Sequence, residues 1–253
     1  MAEKQVITAS TETIDVVQRA KGFWDKNSKR IIIIASAVIL LTGSYLGYKY
    51  LYKLPKEQKA SEAIFPAEKL FAKMAASGTY NKDSVNIVLN GGNLDGNAIT
   101  GMLKVISNYS GTPAGNRAEY IAGACYLQLK DFDKAIKHLK EFDGNGANQV
   151  QSKAYILLGH AYAEQKKTED ALSYYKKAGS VVSDEDANQK AIALFMAASY
   201  ADYLGKTKEA IDILQDMKTN HMAGLLKKDA TSPEPAINVD DVDKLLAKLG
   251  VTK

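Results

Sequence analysis

Apolar residues recur at helical spacing through Asn116–Gly179, and they do so twice at one fixed offset. The first stretch reads YIAGACYLQLKDFDKAIKHLKEF, the second YILLGHAYAEQKKTEDALSYYKKA. Shifted by 36 residues, Gly123 falls on Gly159, Tyr126 on Tyr162, Ala135 on Ala171 and Leu139 on Tyr175. Small and aromatic residues repeating at a constant period predict stacked helix pairs. The glycines sit where a second helix must come close, and Ala135 and Ala171 serve that helix in the same way. Short polar turns, Lys130–Asp131 and Lys166–Lys167–Thr168, separate the members of each pair. A third, more divergent unit spans Ala191–Met217, with Ala198 in the glycine's place and Ala210 in the second helix. Its offset from Ala171 grows to 39 because Ser180–Asn188 makes a longer loop.

The run Leu158-Gly159…Tyr162…Ala171 resembles the tetratricopeptide repeat, and the first unit departs from it only by Ala122 before its glycine. A closing helix is expected over Val239–Leu249, capped by Asn238, with Asp240 and Asp241 in its first turn and Gly250 past its end. His221–Pro235 reads as a non-helical connection. In such repeats the first helix of each pair lines the concave side. That side would carry Arg117, Tyr120, Leu127 and Gln128, then Lys153, Ile156, His160 and Glu164, then Phe195, Ser199, Asp202 and Tyr203. Ile156 and Phe195 fit core packing equally well. The set lacks the repeated Lys/Arg pattern of a clamp for a free C-terminal carboxylate.

Nearer the start, Ile31–Tyr48 (IIIIASAVILLTGSYLGY) holds no charge, and Lys49–Tyr52 continues it with an amphipathic edge. About 20 helical residues cross a bilayer's hydrocarbon core, so Ile31–Tyr52 is expected to be a transmembrane helix. Phe23 and Trp24 flank one end, and Tyr45, Tyr48, Tyr50 and Tyr52 the other, as an interface selects. Thirty residues precede the run and no A-x-A site follows it, which argues against a cleaved signal peptide. Gly43 and Gly47 form a small-xxx-small pair, a candidate helix-packing face. Ahead of the anchor, the Thr- and Ser-rich start is expected to lack structure, and Thr13–Trp24 to lie amphipathically along the membrane.

The chain is therefore read as all-α: a segment 1–30, a membrane helix 31–52, an irregular helical layer 53–115 and a repeat array with its cap, 116–253. In the layer, helices are expected from Pro55 to Ala76, over Asn81–Asn90 and over Ile99–Tyr109, with Asn90–Asn97 (NGGNLDGN) a loop. Charge supports the division. Residues 1–59 hold ten Lys and Arg against five Asp and Glu, the remainder 23 against 24. Positive charge gathered beside the anchor and not on the repeats argues against nucleic acid as the partner. Near the span five cations precede it and four follow, a weak preference for an inside N-terminus.

No enzyme, metal site or cofactor is expected. His138, His160 and His221 share no metal-ligand spacing, Cys125 stands alone in a small-residue helix, and Asp184-Glu185-Asp186 reads as a solvated acidic loop. The Asn90–Asn97 stretch lacks the Lys-Ser/Thr of a phosphate loop and the residue order of a calcium loop.

The basic N-terminus, the anchor ending GYKYLY and the segment ISNYSGTPAGNRAEYIAGACYLQLKDFDKAI together resemble the YfgM-type family of membrane-anchored tetratricopeptide-repeat proteins, ancillary to the bacterial Sec translocon. The specific part of the likeness is Tyr109–Asn116 and the anchor; the repeats are generic. The resemblance implies a bacterial inner-membrane protein with a cytoplasmic N-terminus and periplasmic repeats. It implies partnership with Sec translocon subunits, a membrane-anchored periplasmic chaperone and unfolded exported polypeptides, and it assigns no catalytic residue. The alternative is a scaffold for another envelope assembly, such as outer-membrane protein insertion or a secretion apparatus.

Overall fold

The computed structural model describes residues 2–221, 237 and 239–251, with side chains from Val16 onward. The chain divides into two compact units, Met1–Lys56 and Glu57–Lys253. In the first, helix α1 runs Ala2–Gly47 and is followed by a π-helical turn, Tyr48–Lys53. The Thr- and Ser-rich start is thus helical from Ala2, where composition suggested no structure. Every side chain from Val16 to Leu54 is at least partly exposed, including Ile33, Ile39 and Leu41. By length and composition this helix is long and apolar enough to cross a membrane, and none of its apolar window is buried among the described residues. The π turn falls at its aromatic edge, where Tyr48 and Tyr52 stack at 5.5 Å and Lys49 and Lys56 lie over Tyr50 and Tyr52.

The second unit begins in α2 (Leu54–Ser77), which ends at Gly78 in the left-handed region. Helix α3 (Lys82–Asn90) is capped by Asn81, whose side chain accepts from the backbones of Asp83 and Ser84. The next stretch is not a plain loop. It forms a β-hairpin, β1 (Gly92–Leu94) against β2 (Asn97–Ile99), so that α4 is confined to Met102–Tyr109. Asp95 and Gly96 close it with φ of 51° and 80°, the pair of positive values that a type I′ turn requires.

Three helix pairs follow: α5 (Pro113–Gln128) with α6 (Phe132–Glu141), α7 (Asn148–Glu164) with α8 (Thr168–Ser180), and α9 (Ala187–Tyr203) with α10 (Thr207–Asp216). A π turn, Met217–His221, extends the last. A first core joins α2, α3 and α4 to α5, around Ile64, Leu89, Met102 and Cys125. A second runs from α6 to α9, and a third joins α9 and α10 to α11 (Val239–Lys248) through Leu214, Met217, Val242 and Leu246. Helix α11 therefore covers the last apolar face, as a solenoid's end must. Its proposed cap, Asn238, and the connection 222–236 lie outside the described residues.

Each pair turns in the same way. Lys130 and Lys166 both adopt φ of 61° and Gly205 adopts 73°. The following amides reach back to the carbonyls of Tyr126, Tyr162 and Ala201 at 2.9–3.0 Å, which is the Schellman bond. Because a left-handed conformation disfavours a Cβ, we expect Lys166→Gly to stabilise the fold by about 0.5–1 kcal/mol and Gly205→Ala to cost about 1 kcal/mol. Urea unfolding of the chain in detergent micelles would show opposite midpoint shifts; shifts of one sign would contradict the shared turn.

Candidate functional site

The most distinctive motif of the sequence, Tyr109–Asn116, builds the start of α5. Thr112 is its N-cap: the hydroxyl accepts from Gly115 N at 3.0 Å and donates to the Tyr109 carbonyl at 2.7 Å. A Cβ at Gly115 would stand 2.3 Å from that same carbonyl oxygen, so the turn admits glycine alone. Asn116 ties down the loop between the first two pairs, donating to Asp143 O at 2.6 Å and accepting from Asp143 N at 2.9 Å. Thr112, Gly115 and Asn116 thus position the start of the repeats through contacts with the chain's own backbone.

Within the pairs, the small residues do what their spacing predicts. A Cβ at Gly123 would meet the Leu139 side chain at 2.5 Å, and one at Gly159 the Tyr175 ring at 2.5 Å. The same sixteen-residue step carries Ala198 to Leu214, both fully buried. At the closest approach each glycine meets a side chain of the partner helix.

The first helices touch in series, α5 against α7 and α7 against α9, which makes them the lining of one face. Of the twelve residues expected there, Gln128, Lys153, Glu164 and Tyr203 are open to solvent, and Tyr203 is 79% exposed. Gln128, Glu164 and Tyr203 occupy the same last position of their helices. Arg117 is exposed but engaged with Glu68 of α2 at 3.0 Å, and Asp202 is held by Lys248 of α11 at 2.7 Å. Leu127 and Ser199 are half-buried. The remaining four serve packing. Ile156 is buried in the second core, and Phe195 packs against the third. The Tyr120 ring lies tilted against Phe142 at 5.4 Å, and burial pushes its phenol up to about 12. His160 takes a 2.8 Å hydrogen bond with the Tyr175 hydroxyl. Helical period identifies a face but not its depth, so apolar members of the set sank into the core. On α1, a Cβ built at Gly43 or Gly47 would meet no described atom within 4 Å outside the helix's own nearby backbone.

The histidines remain apart. His138 Nδ1 meets the Glu119 carboxylate at 2.6 Å, and His221 lies between Asp184 and Asp216 at 2.8 and 3.4 Å. Asp184 also pairs with Lys190, so the acidic turn is knitted into the fold and not simply solvated. Among the described residues no three His, Cys, Asp or Glu converge as a metal ion would need. Burial pushes the Cys125 thiol up to about 12, which keeps it protonated and unreactive. A cleft of about 600 Å³ lies between α8, α9 and α10, floored by Leu172, Leu194, Ala197 and Ile213. Two ion pairs of its rim, Lys176–Glu209 and Lys206–Glu169, join charges already satisfied.

His160 gives the face a pH dependence. Burial holds its pKa below the ordinary histidine value, against a smaller pull upward from Glu164. The unfolded chain then takes up a proton near pH 6.5 while the folded chain does not, so stability falls as pH drops below about 6.5. His160→Gln should flatten the stability slope between pH 6.5 and 5, measured by urea unfolding at each pH. An unchanged slope would mean that other groups carry it.

Among known families, residues 21–182 match the tetratricopeptide repeat-like domain. The match includes the apolar stretch of α1 and the first two pairs, and it stops before α9. No curated protein and no solved structure matches the chain. Over half of the sequence matches the family, and the shared turns and close approaches repeat at its spacing: the chain belongs to the tetratricopeptide repeat-like family.

Proposed function

We propose that this chain is a membrane-anchored protein-interaction module of the bacterial inner membrane, ancillary to the Sec translocon and to a membrane-anchored periplasmic chaperone. Its N-terminus is cytoplasmic, its repeats are periplasmic, and it assists export or folding of envelope proteins without catalysing a reaction. What carries the reading is an apolar helix without protein cover in a chain of tetratricopeptide repeats. The likeness of Tyr109–Asn116 and the GYKYLY edge to the YfgM-type family supports the choice of partner.

Two experiments test it. Protease added to intact spheroplasts should remove the repeats; protection there, with digestion after permeabilisation, would reverse the orientation. A photocrosslinker at Glu164 or Tyr203, the open end of the first-helix face, should capture translocon subunits or the chaperone. Capture of outer-membrane insertion or secretion components in their place would favour a scaffold of another envelope assembly.

A further inference from the structure

Helix α7 has a second face. At about 100° per residue, Tyr155 and Tyr162 point away from Lys153, His160 and Glu164. There the rings of Tyr162 and Tyr174 stack at 5.3 Å and 9°, and Tyr155 lies 5.9 Å from Tyr174. Three exposed lysines surround this platform. Lys140 and Lys167 stand 5.4 and 5.7 Å from the centre of the Tyr162 ring, and Lys177 stands 4.7 Å from that of Tyr174. On the neighbouring face Lys176, Lys190 and Lys206 are each tied to a carboxylate at 2.7–2.8 Å, whereas these three rest on rings.

The preceding pair shows what the arrangement lacks. One repeat earlier the same positions hold Glu119, Tyr126 and His138, and the ring pair Tyr126–His138 stacks at 5.4 Å and 9°, nearly the same geometry. There Glu119 occupies the place of Tyr155 and sets its carboxylate 2.6 Å from His138. The first unit thus carries its anion internally. In the second unit a tyrosine replaces that carboxylate while the cations multiply. Asp170 is the carboxylate whose charge acts on both Lys140 and Tyr174, raising the pKa of each as a minor cause. In the third unit the equivalent positions are Leu194, Ala201 and Ile213, and the feature disappears.

We propose that the Tyr155–Tyr162–Tyr174 platform with Lys140, Lys167 and Lys177 is a docking surface for an acidic peptide segment of a partner protein. The ammonium groups and phenolic hydroxyls supply hydrogen bonds to carboxylates, and the half-buried rings of Tyr155 and Tyr174, backed by the buried ring of Tyr162, give the peptide backbone an apolar floor. The cations are distributed over two rings whose centres are 5.3 Å apart, with Lys140 and Lys167 at one and Lys177 at the other. Carboxylates at alternate positions of an extended peptide, spaced about 7 Å apart on one side, reach both ends of such a platform at once.

The test uses the full chain in neutral detergent micelles and a fluorescent peptide of alternating Glu and Ala, read by anisotropy at low salt. The alternating Gln and Ala peptide should not bind. The triple change Lys140→Gln, Lys167→Gln and Lys177→Gln should weaken binding about tenfold or more. The same charge removed at Lys176, Lys206 and Lys248 should leave it intact, and Asp170→Asn should tighten it. Tyr155→Glu restores the carboxylate present in the first unit; it should abolish peptide binding while the melting temperature holds. Binding that survives both Tyr155→Glu and the triple change, or that does not distinguish Glu from Gln, overturns the proposal. So does phosphatidylglycerol doped into the micelles if it displaces the probe more effectively than unlabelled peptide, since the surface would then be a lipid site.

Discussion

Replacing Gly159 by Leu is expected to destabilise the repeats by about 3 kcal/mol, through overpacking between α7 and α8. A Cβ at this position would stand 2.5, 2.6 and 2.9 Å from three atoms of the Tyr175 ring, before any further carbon is added. The ring cannot step aside cheaply. Its hydroxyl is bonded to His160 at 2.8 Å, its edge meets Tyr200 at 5.1 Å, and the residue is 4% exposed. The third unit shows that a methyl group can be housed at this position opposite a leucine once the helices are set for it: Ala198 and Leu214 are both fully buried in one core. Gly159→Ala should therefore cost much less in a Tyr175→Leu background than in the native one. Urea unfolding of the four chains of that cycle measures the coupling. If the two substitutions simply add, Gly159 does not face Tyr175 and the pairing of α7 with α8 is wrong.

That contact was legible because close packing of helices leaves few choices. Where two axes approach, only Gly or Ala fits, so the period of Gly123, Gly159 and Ala198 reports the architecture. The turns were legible for a related reason: their two or three polar residues leave room only for the left-handed cap that Lys130, Lys166 and Gly205 provide. The membrane-length helix was plain from eighteen uncharged residues. What escaped were features decided by a handful of residues. The hairpin was announced only by Asp95-Gly96, because strands of three residues, Gly92–Leu94 and Asn97–Ile99, are too short to show alternation. The helical start of α1 ran against a Thr- and Ser-rich composition.

The candidate binding face was legible in outline and not in depth. First helices such as α7 and α9 bury alanines and glycines on most sides, so their polar side is narrow. Ile156 and Phe195 share that side by period yet pack inward, while Tyr203 at the helix end stays open. The tyrosine and lysine platform went unnoticed because its parts come from α6, α7 and α8, with Lys167 at the turn. Tyr162 alone reads as core. Only the overlay of Tyr155 on Glu119 and Tyr174 on His138, at the same offset of 36, would have singled out the position.

Gly101→Ala is expected to be the most damaging small substitution in the second unit, at about 3 kcal/mol or more, because backbone and not side chain stands in the way. Gly101 follows β2 and caps α4 in an extended conformation. A methyl group there would lie 2.3 Å from the carbonyl carbon of Asn90 and from Gly91 N, and 2.5 Å from Leu89 O. All three belong to the end of α3, so the start of α4 passes directly over it. Gly91 presses back from the other side: its φ is +85°, and a Cβ would stand 2.7 Å from Ile99 O and 2.9 Å from Gly101 N. The two glycines close the base of the hairpin, and through it they set α3 and α4 onto the core that supports α5. No rotamer change relieves such a contact, and the helices must separate. Gly92→Ala is the internal comparison, since its added carbon would meet only the Ile87 side chain at 3.5 Å and should cost less than about 1 kcal/mol. Urea midpoints for the two variants should therefore differ widely, and near-equal midpoints would show that α3 and α4 do not cross at Gly101.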